Sequence, residues 1–97
     1  MATEITVETP HGLSEVRTYF ADFTNDLPTG VTVASATALH TPPSGTASTV
    51  TPSITLAPIV AAALGTQTVR GWHVLDIFAT LSNGDVSQIR LHIPVNF

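Results

Sequence analysis

The chain has 97 residues and no cysteine, so it is read as one domain without a disulfide framework or a thiolate metal site. Its net charge of −4 comes from seven acidic residues against three arginines, which excludes the basic footprint that nucleic acid or an anionic membrane surface requires. Charged residues make up only 10%, well under the usual quarter, and threonine takes their place, as it does on β-sheet surfaces and in proteins embedded in larger assemblies.

Residues Met1 to Ser14 read as an N-terminal arm ahead of a domain over 15–97. Glu4-Ile5-Thr6-Val7-Glu8 alternates like a strand before Pro10, His11 and Gly12 interrupt it. Two readings stand: a frayed terminus, or an arm whose Ile5 and Val7 meet a neighbouring subunit. Val16 to Phe23 is the next strand, and Asn25-Asp26-Leu27-Pro28-Thr29-Gly30 is a turn punctuated by Pro and Gly. Val31 to His40 follows as a strand of ambiguous facing. Val31, Val33 and Ser35 share one side and Ala34, Ala36, Ala38 and His40 the other, a conflict that a bulge would resolve.

Thr41 to Ser48 contains Pro42 and Pro43 and reads as a loop. Val50 to Leu56 is strand-like, with Pro52 marking an edge or a start. Ile59 to Gly65 has alanines that favour helix, but it is too short for one between Pro58 and Gly65 and is read as a short strand. Thr66 to Gly71 links into the closing hairpin, two β-rich runs flanking Asn83-Gly84. A two-residue loop would oppose mismatched faces, Ile77 to Arg90 and Leu75 to His92. A three-residue loop, Ser82-Asn83-Gly84, pairs Ile77 with Ile89 and Leu75 with Leu91. It also sets Asp76 against Arg90 on the outer side, with Gly84 left-handed in a bulge. Asp76, Arg90 and Gly84 are therefore the structural residues of this hairpin. The whole pattern, about six to seven short strands with turn signals every 8–12 residues or so, predicts an all-β, small antiparallel β-sandwich.

Chemistry-bearing motifs are sparse. His11, His40, His73 and His92 show no metal-ligand spacing, and His73 should point inward while His92 points outward. Asp22, Asn25 and Asp26 lack the spacing of a calcium loop and suit a turn. No paired carboxylates, G-x-S-x-G or cysteine nucleophile is present. The expectation is a non-enzymatic chain without cofactor or metal. Trp72, Val74 and Phe78 stand out on the outer face of the hairpin, because aromatics among polar strand neighbours supply interface energy. The competing reading has that face covered by the chain itself, for instance by the loop from Pro42.

The run from Tyr19 to Thr37, with Asp22-Phe23 ending a strand, the Leu27-Pro28-Thr29-Gly30 turn and a small-residue strand, is joined by Ala79-Thr80-Leu81-Ser82-Asn83-Gly84 and the apolar ending Ile93-Pro94-Val95. Together these segments resemble small Ig-like virion proteins of tailed bacteriophages, often described as fibre–tail adaptors. Such proteins often carry a tyrosine where His73 stands, after a Gly-rich turn that Gly65 to Gly71 replaces here. The resemblance implies an Ig-like β-sandwich, assembled in the host cytoplasm into the virion. It would connect tail or neck to fibres, with other phage structural proteins as partners and a homo-oligomer within the particle. A capsid decoration protein is the alternative role. A carbohydrate- or receptor-binding module is a third, although its candidate aromatics, Trp72 and Tyr19, fall in different strands.

Overall fold

The computed structural model describes residues 2–56 and 58–96. Two sheets are packed face to face. The larger has six strands in the order β1-β9-β8-β4-β5, with β2 also on β9. Its members are β1 (Ala2–Thr6), β2 (His11–Gly12), β4 (Val33–Thr41), β5 (Ser48–Val50), β8 (Gly71–Leu81) and β9 (Val86–Asn96). The smaller has the order β3-β7-β6, from β3 (Arg17–Asp22), β6 (Ser53–Leu56) and β7 (Ile59–Leu64). The partition of β3, β7 and β6 from β5, β4, β8 and β9 is that of an Ig-like sandwich with an added C′-type strand. The expected fold class is therefore observed.

The hairpin register is the one derived from facing: Ile77 opposes Ile89, Leu75 opposes Leu91 and Asp76 opposes Arg90. Gly84 N–H donates to Leu81 O at 2.9 Å and Leu81 N–H to Asp85 O at 2.7 Å, which closes the loop over Ser82, Asn83 and Gly84. Gly84 has φ +93, a region that side chains with a Cβ avoid. Asn83 Oδ1 accepts from Asp85 N–H at 3.0 Å, an Asx contact that helps hold the turn. Eleven residues per strand at about 3.3 Å each span roughly 36 Å, so this hairpin sets the 44 Å long axis of the molecule.

The ambiguity in the fourth strand is resolved by a bulge. Val33 opposes Leu81 and Ser35 opposes Thr80, which leaves Ala34 as the extra residue and turns Val33, Ala38 and His40 to the same interior. The core between the sheets is built on Phe23, Leu75, Ile77, Val60 and Ile93, all 0% exposed. Small residues such as Ala21 and Ala62 fill between them.

Four features differ from expectation. The described strands number nine, not six or seven, because short edge segments pair. The sandwich is not purely antiparallel, since β1 and β2 both run parallel to β9. The arm over residues 1–14 is not separate from the domain: β1 pairs with β9 of its own chain, from Ala2 opposite Gln88 to Thr6 opposite His92. Its alternating pattern suits an edge strand, and β9 offers a free edge. Finally, Val50 to Leu56 is two strands in different sheets, β5 on β4 and β6 on β7. Pro52, which has no N–H to donate, lies where the chain changes sheet.

Gly84→Ala should lower stability by about 1–2 kcal/mol, the scale for forcing a Cβ into positive φ. It should shift the urea midpoint without changing the slope. An unchanged midpoint would show that the loop tolerates another geometry.

Candidate functional site

The site is assembled on the outer face of the larger sheet by strand parity. Trp72, Val74, Asp76 and Phe78 alternate outward along β8. Across from them β9 supplies Pro94, His92, Arg90 and Gln88, and β4 supplies Thr41, Leu39 and Thr37. Trp72 is 57% exposed and Leu39 36%, while Val74 and Phe78 are half-buried. The Pro42–Gly45 turn comes close to Gly71, whose added Cβ would stand 3.2 Å from Pro43 Cγ, yet Trp72 stays open to solvent. The face is thus not covered by its own loop at Trp72.

A polar network sits in the middle of this surface, among the apolar Trp72, Val74, Phe78 and Leu39. Asp76 is only 7% exposed, flanked along its strand by Val74 and Phe78 and across it by Leu39. Its Oδ1 accepts from Arg90 Nε at 2.7 Å and from Gln88 Nε2 at 2.9 Å, and Arg90 Nη2 reaches Oδ2 at 3.5 Å. Hydrogen bonding to Asp76, and then its charge, push the Arg90 guanidinium above its ordinary value. At the sheet edge His92 Nε2 donates to Glu4 Oε1 at 2.8 Å. Asp76 and Arg90 are therefore paired within the chain and Glu4 is hydrogen-bonded to His92, and the exposed aromatic and aliphatic groups of the face are what it offers to a partner.

The sequence-derived residues fall in three places. Trp72, Val74 and Phe78 share the outer face with Asp76 and Arg90. Ile5 opposes Leu91 and so lies on the other side of the sheet, 43% exposed. Val7 donates its N–H to His92 O at 2.9 Å and packs against the core. Gly84 stands at the hairpin tip. The pairs expected across the hairpin are present; Leu39 and Glu4 joined the face through strand pairings that a local reading does not show.

The histidines are more organised than scattered residues would be. His92 points outward and His73 inward, as parity requires, but His11 and His73 are 0% exposed and His40 is 8%. His40 Nε2 lies 2.7 Å from His73 Nδ1, and His11 bridges Tyr19 Oη and Gly65 O at 3.0 Å each. Among the described residues no group of three or more His, Cys, Asp or Glu is placed to hold a metal ion. A separate cavity of about 90 Å³ lies between Leu27, Thr32, Val33 and Pro58, the space of a few water molecules.

No protein-family model matches the chain, and no curated protein matches its sequence.

Arg90→Ala should cost about 1–3 kcal/mol, because it leaves the buried Asp76 carboxylate with Gln88 alone. Replacing both Asp76 and Arg90 with valine should cost less than the two single changes summed. A double-mutant cycle by urea unfolding measures this, and additive losses would mean that the pair does not act as a unit.

Proposed function

We infer that this chain is a non-enzymatic structural protein of a tailed-phage virion, connecting tail or neck to fibres through protein–protein contacts. The observation that carries the contact role is the outer sheet face. Trp72, Val74, Leu39 and Phe78 surround an Asp76–Arg90–Gln88 network whose hydrogen bonds are already made. Such a surface loses little on desolvation of its charges and gains from aromatic burial. The resemblance of the segments around Tyr19–Thr37 and Ala79–Gly84 to small Ig-like virion proteins supports the setting. Other phage structural proteins, and further copies of this chain within the particle, are the partners on this reading.

The test is incorporation. Trp72→Ser should leave the folded monomer within about 0.5 kcal/mol of the parent, as exposed substitutions usually do, and reduce incorporation into particles at least tenfold. Phe78→Ser should act in the same direction with a larger loss of stability, because Phe78 is half-buried. Parent-like incorporation of both variants would remove the face from the mechanism. Cryo-electron microscopy of the particle then separates the roles: density at the tail or neck supports the connector, and copies spread over the shell mean decoration instead.

A further inference from the structure

Three of the four histidines are packed into the end of the sandwich opposite the Gly84 loop, on different strands: His11 on β2, His40 on β4 and His73 on β8. Their partners fix which nitrogen carries each proton. Val69 O is only an acceptor, so His73 Nε2, 2.7 Å away, donates to it. The neutral His73 ring then has a bare Nδ1, and the 2.7 Å contact requires that His40 Nε2 carry the hydrogen. In the same way Gly65 O takes the Nε2 hydrogen of His11, and Tyr19 hydroxyl donates to His11 Nδ1. Gln67 adds to this closure, with its backbone N–H on Leu13 O at 2.8 Å and its side chain on Gly65 O at 3.0 Å. The segment from Gly65 to Arg70 is thus fastened to β2 and β8 by neutral imidazoles in defined tautomers.

We propose that His11, His40 and His73 form an acid-released latch, which holds the Gly65–Arg70 segment and β2 closed at neutral pH and frees them when the network gains protons. One proton added to His73 Nδ1 sets two N–H groups against each other at the His40 contact, unless His40 passes its hydrogen to its own Nδ1. A second proton on the pair cannot be accommodated in any tautomer. Around the network, β3 contributes Tyr19 and Arg17, and the turn before it contributes Glu15. Arg17 Nη2 is spent on Glu15 Oε2 at 2.8 Å, and Glu15 Oε1 accepts from Gly12 N–H at 2.6 Å. Arg70 lies in the latched segment itself. β7 faces it with the apolar Ala62 and Leu64, and β5 and the 42–47 loop carry no titratable side chain. On β9, His92 and Arg90 point to the other side of the sheet. Among the described residues none of the three imidazoles hydrogen-bonds a carboxylate; Glu15 feels the charge of His11 but its oxygens accept from Gly12 and Arg17, so an imidazolium formed at the His40–His73 pair has no counter-charge in contact.

The sign follows from burial. Desolvation, then the neighbouring His73 and His11 charges, hold His40 below the ordinary 6.5. A depressed histidine stabilises the fold fully above about 6.5, its unfolded value, and that contribution is lost as pH falls from there through the folded value.

Hydrogen exchange on the full chain, at pH 7.5 and at pH 5.0 and corrected for intrinsic rates, tests the latch. Amides of 65–71 and 11–13 should lose at least tenfold in protection at the lower pH, while those of 75–93 keep theirs. His40→Gln keeps an N–H donor toward His73 without the titration and should reduce that loss several-fold. Histidine NMR titration of the unsubstituted chain provides a check independent of the variant. His40 should stay neutral until the segment opens. Unchanged protection at pH 5.0, equal loss across the whole chain, or titration of His40 near its ordinary 6.5 with the segment still closed would each overturn the proposal.

Discussion

The register of the β8–β9 hairpin is the constraint on which the rest depends. Because side chains alternate strictly along a strand, one residue of slip would exchange Ile77, Leu75 and Ile89 with Asp76, Arg90 and Gln88. The interior would then hold an ion pair and the surface a row of aliphatics. The three-residue loop, with Gly84 at φ +93, excludes that slip locally before any distant strand arrives. Once the register is set, β8 presents one edge to β4 and β9 presents one edge to β1. The larger sheet grows outward from a pair whose two faces are already decided.

On the outer side this has an unusual result. A carboxylate sits almost fully shielded on the surface of a sandwich rather than inside it. Asp76 lies between the larger Val74 and Phe78 along its strand and between Leu39 and Arg90 on the strands to either side. Shielding raises the stakes of its hydrogen bonds: in water an exposed pair contributes little, whereas a desolvated carboxylate without donors is costly. Arg90 and Gln88 supply those donors from the facing strand. The network thereby fixes side chains in the centre of the face, and a partner would meet a preorganised surface rather than mobile charged groups.

What could be read from the sequence follows contact distance along the chain. The hairpin, its loop length, its charge pair and the inward and outward histidines His73 and His92 were legible, since each depends on neighbours within about twenty residues and on parity. The conflict at Val33–Ala36 was visible as a conflict, and only the pairing of Ser35 with Thr80 placed the bulge at Ala34. The docking of β1 on β9 was not legible, because an alternating terminal segment fits any open edge, whether its own or a neighbour's. The His40–His73 contact was hidden for a related reason. It needs the β4–β8 pairing, which brings residues 33 positions apart into reach, and no spacing rule along one strand reports it. Leu39 joined the outer face by the same non-local pairing.

Placement by parity also explains why one residue type behaves in opposite ways in this chain. His92 and His73 lie on adjacent strands, and His92 pairs with Val74 rather than with His73. That single-residue offset sends His92 outward, where its Nε2 donates to the Glu4 carboxylate. It sends His73 inward, where its partners are Val69 O and the His40 imidazole rather than a carboxylate. One imidazole therefore ties β9 to β1 through a carboxylate, and the other closes the Gly65–Arg70 end against a carbonyl and a second imidazole. The Leu75–Leu91 pair next to them is wholly apolar and holds the hairpin between the two contacts.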